Sequence, residues 1–137
     1  MTIDPRTLVD AAIDAMARAY APYSHFRVGA ALLDADGNIW TGCNIENASY
    51  PATICAERSA LSTAVSAGVR RFAAIAIVGG PEGILGGECP PCGICRQVLS
   101  EFCTPDLPVY LGHADGITAL TLGDLLPHSF TLNDKEN

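Results

Sequence analysis

Thr53-Ile54-Cys55-Ala56-Glu57-Arg58, read together with Pro90-Pro91-Cys92-Gly93-Ile94-Cys95, decides how the rest of the chain is arranged. Each stretch follows an extended segment and opens a helical pattern, so Cys55 and the Cys92/Cys95 pair fall at predicted helix N-termini. Backbone N–H groups there lack intrahelical partners and carry partial positive charge. That setting lowers a thiol's pKa and favours the thiolate that a metal needs. Three sulfurs, with the carboxylate of Glu57 two residues after the first, have the composition of a zinc site with one coordination place open. A structural zinc site closes with four protein ligands, whereas a catalytic one leaves the fourth place to water.

The segments around these two stretches predict the fold. Asp4-Pro5 reads as a helix N-cap followed by proline at the first helical position. Val9, Ile13, Met16 and Tyr20 then recur at helical spacing as one apolar face, and Ala21-Pro22 ends the helix. Val28 to Leu33 and Ile39 to Asn44 are strands joined by the turn Asp34-Ala35-Asp36-Gly37-Asn38, a hairpin. The first cysteine helix runs from Thr53–Cys55 to about Ala67, stopped at Gly68, and its small face of Ala56, Ala60 and Ala64 permits close packing. Phe72 to Val78 is a continuous apolar run, a strand buried on both faces. A Gly/Pro-rich loop over 79–91 leads to the second cysteine helix, Cys92-Gly93 to Cys103, with Cys95, Val98, Leu99 and Phe102 facing inward. Leu107 to Leu111 and Ile117 to Leu120 are short strands, and Thr121 to Leu126 forms a helical turn. This order, α-β-β-α-β-α-β-β, predicts a single α/β domain over residues 1–137 with parallel pairing between the central strands of a mixed sheet.

Composition bounds the function. The chain has 137 residues, almost half of them apolar, which suits one domain with a proper core. No apolar run reaches the length of a membrane span, and Met1-Thr2-Ile3-Asp4-Pro5-Arg6 does not read as a signal peptide, so the expected location is the cytoplasm. In a reducing compartment, six cysteines point to metal or catalytic use before disulfides. Cys43, Cys89 and Cys103 are expected to be ordinary small thiols. The net charge is −7 and Arg70-Arg71 is the lone adjacent basic pair, so a nucleic-acid polymer is not the expected partner. The expected substrate is a small, uncharged molecule.

Three thiolates leave a zinc centre with net negative charge, which opposes activation of water. Arg58, one turn along from Cys55, is placed to donate to ligand sulfur and offset that charge. Glu57 is placed to take a proton from water and return it to substrate. Cys-x-Glu followed later by Pro-Cys-x-x-Cys is the order found in zinc deaminases of nucleobases.

The resemblance covers nearly the whole chain. Tyr23-Ser24-His25-Phe26-Arg27-Val28-Gly29-Ala30-Ala31, Gly42-Cys43-Asn44-Ile45-Glu46-Asn47-Ala48-Ser49-Tyr50, Cys55-Ala56-Glu57-Arg58 and Pro91-Cys92-Gly93-Ile94-Cys95-Arg96-Gln97-Val98-Leu99 are similar to the small homotetrameric cytidine deaminases that act on free nucleosides. That likeness implies an α/β/α sandwich with a mixed five-stranded sheet, zinc on Cys55, Cys92 and Cys95, and Glu57 as proton shuttle. It implies Phe26 as aromatic packing near base and sugar, and Asn44 and Glu46 as the pair that holds the ribose hydroxyls. It implies main chain at Ala56 and Cys92 orienting the pyrimidine. Ala48 and Tyr50 resemble residues that reach a neighbouring subunit's pocket, and Phe130 resembles an aromatic donated from another subunit onto the base. One departure is the loop over 79–91, a few residues longer than is usual in the family, which leads directly into two of the sulfurs.

Two rival functions differ from deamination of cytidine and deoxycytidine. One is deamination of another aminopyrimidine, such as blasticidin S. The other is a non-enzymatic, zinc-stabilised binding module, which needs a fourth protein ligand from Cys89, Cys43 or a histidine.

Overall fold

A computed structural model describes residues 3–132; Met1 and Thr2, the start of the segment read above as no signal peptide, lie outside them, as do residues 133–137. The elements follow the order α1 (Pro5–Met16), β1 (Phe26–Asp34), β2 (Ile39–Cys43), a 3-10 turn (Tyr50–Ala52), α2 (Ala56–Ser66), β3 (Phe72–Pro81), α3 (Gly93–Phe102), β4 (Pro108–His113), β5 (Gly116–Thr121) and α4 (Leu122–Leu125). The five strands form one sheet in the order β2-β1-β3-β4-β5.

Two apolar layers make the α/β/α sandwich. On one face Leu8, Val9, Ala12 and Met16 of α1 pack against Ala31, Leu33, Ala74, Ala76 and Val78. On the other, Ala56, Ala60 and Ala64 of α2 and Leu99 of α3 cover Ala30, Leu32, Ile75, Ile77 and Val109. The alternation along β1 and β3 is the period-2 geometry of a strand buried on both faces. Glycines set the helix distances. A Cβ on Gly29 would lie 2.0 Å from the carbonyl oxygen of Ala12, and one on Gly42 would lie 2.4 Å from the amide nitrogen of Ala60.

The expected parallel pairing holds for one pair only. β3 and β4 are parallel, but β1 lies between β2 and β3 and is antiparallel to both. The helix that follows β2 therefore crosses over β1 to reach β3, and β2 is left at the edge. The hairpin puts β1 next to β2, and β1, the more completely buried strand of the two, takes the central place.

α1 also ends earlier than Ala21-Pro22. Asp4 caps it through the Arg6 amide and Pro5 opens it, as expected, but its last residue is Met16. Tyr20 is drawn into a bridge instead. Its N–H donates to the Asn44 carbonyl (3.0 Å), and its carbonyl accepts from Glu46 N–H (2.8 Å). Tyr20 is thus exposed and not part of the apolar face, and Ile13 is half-buried. In α3, Val98 and Phe102 are likewise half-buried, while Cys95 and Leu99 are buried. No helix among the described residues is long and apolar enough to cross a membrane.

Candidate active site

Cys55 is the N-cap of α2 and Cys92 the N-cap of α3, and neither side chain caps its own helix. Both sulfurs are thereby left to face each other. Cys55 Sγ and Cys92 Sγ are 3.8 Å apart, and Cys92 Sγ and Cys95 Sγ 3.5 Å. All three sulfurs lie within 4.8 Å of one another. Three thiolates at about 2.3 Å from one tetrahedral zinc are roughly 3.8 Å apart, so the trio fits the ion. Among the described residues no further histidine, cysteine or carboxylate joins this group, and none of the cysteines is in a disulfide.

The run into Cys55 is fixed by backbone pairing. Ile45 and Ile54 exchange two hydrogen bonds of 3.0 Å each, which ties the segment after β2 to the start of α2. The run into Cys92 is fixed by Arg96, whose Nε donates to the Pro91 carbonyl at 2.7 Å and whose Nη1 donates to the Leu125 carbonyl at 2.7 Å. Sequence reasoning missed Arg96. Its one signal was a cation four residues after Cys92, within reach of the carbonyls at the helix entrance.

Charge is shared unequally among the sulfurs. Cys55 is held down to about 5, first by its hydrogen bond with Cys95, against burial, and further by Arg58 and Cys92. Cys95 is pushed far up by the same hydrogen bond and by burial. Cys55 and Cys95 thus titrate as a pair, and a zinc ion would take all three sulfurs as thiolates. Arg58 Nη2 reaches Cys55 Sγ at 3.6 Å and the Thr53 carbonyl at 3.4 Å. Contact with the thiolate raises the Arg58 pKa further.

Glu57 is 4% exposed. Burial pushes its carboxyl up to about 7, and the Cys55 charge adds to the effect against its own backbone N–H. A carboxyl poised near neutrality is suited to both accept and donate a proton. It opens onto a cleft of about 210 Å³ that is also lined by Cys55, Ala56, Cys92 and Asn44. Val28, Cys89 and Pro90 complete the wall on the side of β1 and the long loop. Cys89, expected to be an ordinary thiol, thus lies in the cleft but outside the sulfur trio; burial raises it to about 11.

The remaining expected contacts are placed as follows. Asn44 is buried, with Oδ1 accepting from Val28 N–H (2.8 Å) and Nδ2 donating to the Phe26 carbonyl (2.9 Å). Glu46 accepts from the amides of Tyr23 (2.9 Å) and Ser24 (3.1 Å) and from the Ser24 hydroxyl. The hydroxyl bond is the main reason its carboxyl sits below the usual range. Phe26 is 39% exposed at the start of β1. Ala48 and Tyr50 are exposed, Tyr50 edge-on to Tyr23 at 6.3 Å between centroids. Phe130 is exposed, and its carbonyl accepts from Gln97 Nε2 at 3.0 Å. Within one chain, Phe26, Glu46, Ala48, Tyr50 and Phe130 are not brought to the lining of the cleft.

Residues 3–111 match the family model described as the cytidine and deoxycytidylate deaminase zinc-binding region. This chain belongs to that deaminase family. It is 49% identical over 133 residues to a cytidine deaminase of Sporosarcina psychrophila, covering 96% of this chain and 95% of that one. It is 50% identical over 133 residues to the cytidine deaminase of Halalkalibacterium halodurans, covering 96% and 98%. Among solved structures, the cytidine deaminase from Burkholderia pseudomallei superposes with a TM-score of 0.85 at 47% identity, covering 93% of this chain and all of that one. The matched stretch contains all three sulfurs and the elements from α1 through α3.

Proposed function

We propose that this chain is a zinc-dependent hydrolase that converts cytidine and deoxycytidine, with water, to uridine and deoxyuridine, with release of ammonia. The observation that carries the proposal is a buried carboxyl, Glu57, in one cleft with three convergent sulfurs. Zinc held by Cys55, Cys92 and Cys95 supplies the Lewis acidity that makes water nucleophilic near neutral pH.

The protein groups do the rest. Glu57 accepts one proton of the water that adds to C4 and delivers it to N3 of the ring; it then takes the second proton from the new C4 hydroxyl and gives it to the exocyclic nitrogen as the C4–N bond breaks, leaving the C4 carbonyl and ammonia. Arg58 keeps the electron-rich sulfurs from quenching that chemistry. Main chain at Ala56 and Cys92 orients the pyrimidine, and Phe26 packs on base and sugar. Asn44 keeps one donor and one acceptor site beyond its two bonds to β1, and Glu46 keeps about one of the roughly four acceptor sites of a carboxylate. These free sites take the ribose hydroxyls.

The chain works as one domain over residues 1–137 and assembles as a homotetramer with shared sites. The exposed aromatic pair Tyr50 (70% exposed) and Tyr23 (48%), edge-on to each other, supports this assembly, since large apolar groups that sit together in water mark contact surfaces. Ala48, Tyr50 and Phe130 then reach a neighbour's pocket. The enzyme acts in the cytoplasm, in pyrimidine salvage.

The test is turnover of cytidine, free cytosine and blasticidin S by the wild type and by Glu57→Gln and Glu57→Ala, with zinc measured in each. Loss of a proton shuttle lowers turnover by about 10²- to 10⁴-fold. Near-full turnover in a zinc-loaded Glu57→Ala overturns the role of Glu57, and preference for cytosine or blasticidin S overturns the nucleoside assignment. Sedimentation of a fully active monomer overturns the shared sites.

A further inference from the structure

The loop over 82–91 is tied to the sheet at two places. It turns back on the end of β3, where Gly86 N–H donates to the Gly79 carbonyl (3.2 Å) and Ile84 N–H donates to the Pro81 carbonyl (3.0 Å). The return is close because β3 ends in glycines: a Cβ on Gly80 would lie 1.7 Å from the Ile84 carbonyl oxygen. A second anchor comes from the β4–β5 hairpin. Ala114 N–H donates to the Gly86 carbonyl at 2.9 Å, and the Thr118 hydroxyl donates to the Glu88 carboxylate while meeting His113 Nε2 at 3.0 Å.

The two residues after Glu88, Cys89 and Pro90, are those that the anchored loop delivers to the cleft. Cys89 shares the lining with Glu57 and Cys92. Its sulfur and the Phe26 ring also rest on the same patch of backbone: a Cβ on Gly79 would lie 2.9 Å from Cys89 Sγ and 3.0 Å from the Phe26 ring. Cys89 thus lies in the cleft with Glu57 and, across the Gly79 backbone, beside the Phe26 ring. In a cytidine, the reacting carbon adjoins N3, C5 and the exocyclic nitrogen, and the last two can carry a substituent.

We propose that the anchored 86–90 wall gauges the amino-bearing edge of the pyrimidine, the volume of the Cys89 side chain setting which C5 or N4 substituents are accepted. The proposal rests on the nucleoside-deaminase function above. A wall held by backbone bonds does not retreat, so an added methyl meets the side chain at position 89 directly. The longer loop is thus a substrate filter supported from the far edge of the sheet.

The experiment compares kcat/KM for cytidine, 5-methylcytidine and N4-methylcytidine in the zinc-loaded wild type, Cys89→Ala, Cys89→Val and Cys89→Leu. A methyl in a tight pocket is worth about 10- to 200-fold in discrimination. Cys89→Leu is expected to lower the analogue-to-cytidine ratio for at least one analogue by about tenfold, and Cys89→Ala to raise that ratio by more than about fivefold. Should Cys89→Leu not fold, Cys89→Val and Cys89→Ala bracket the wild-type volume and the same ordering is required. Ratios for both analogues that do not follow side-chain volume, or that fall only in step with cytidine itself, overturn the proposal. A wild type that leaves cytidine unchanged instead overturns the underlying deaminase function, so the two failures are distinct.

Discussion

Arg96 Nε lies 2.7 Å from the carbonyl oxygen of Pro91, the residue that immediately precedes Cys92. With its second bond to the Leu125 carbonyl, one guanidinium joins the entrance of α3 to the end of α4. Arg96 touches no sulfur among its hydrogen bonds, so its effect on the centre is exerted through the backbone that aims Cys92. Arg96→Ala is expected to cost about 2 to 3 kcal/mol, since hydrogen bonds from charged donors contribute about 1.5–3 kcal/mol each and are not additive. Arg96→Lys should recover less than half, because an ammonium lacks the planar fork that reaches two carbonyls. Urea unfolding of the zinc-loaded proteins and zinc retention after dialysis measure both effects.

The sulfur trio is expected to hold one zinc per chain, and thiol reagents should release it. Cys55, half-buried, and Cys92, exposed, are the accessible members, whereas Cys95 is buried. Titration with a thiol-reactive chromophore, read alongside a zinc indicator, should show metal release in step with modification of the first two thiols. Chelation should also lower the melting temperature, because an ion that binds the folded chain stabilises it by mass action. Arg58→Ala should speed release about 10- to 100-fold, the usual effect of removing a partner of a ligand.

Asp34 offers a pH test remote from the metal. It is 2% exposed, and burial alone would raise its pKa. Hydrogen bonds from Trp40 Nε1 (3.0 Å), the amides of Asn38 (2.9 Å) and Asp36 (2.8 Å), and Asn38 Nδ2 (3.2 Å) outweigh burial and hold it below 3.8. The folded pKa is thus depressed. Its stabilising contribution is present above the unfolded pKa of about 3.9 and is lost as pH falls through the lower folded value. Wild-type unfolding free energy should therefore fall more steeply than that of Asp34→Asn below about pH 4. At neutral pH Asp34→Asn should cost about 2 kcal/mol, because an amide nitrogen would face donors.

Gly42 tests how the sheet places the site. Its missing Cβ would lie 2.4 Å from Ala60 N and 2.7 Å from the Ala56 carbonyl oxygen, both backbone atoms of α2. Gly42→Ala should push α2 from the sheet and cost about 1–3 kcal/mol, the range for overpacking a core. Cys55 caps that helix and Glu57 lies in its first turn, so turnover should fall even where the variant stays folded. Melting and activity assays on one preparation separate the two losses.

Local chemistry alone determined the cap at Asp4-Pro5, the hairpin around Asp34–Asn38, the small face of α2 and the sulfur spacing, because each depends on residues a few positions apart. The tertiary structure decided what depends on partners distant in sequence. It put β1 between β2 and β3, drew Tyr20 out of α1 to bridge Ile45, and bonded Asn44 to β1. It also turned Glu46 onto the Tyr23-Ser24 loop and hung Cys89 from a wall anchored at Thr118. Periodicity states which face of a segment is buried, but not which segment covers it. That choice follows from burying both faces of the middle strands and pairing every backbone group at once, which no single stretch encodes.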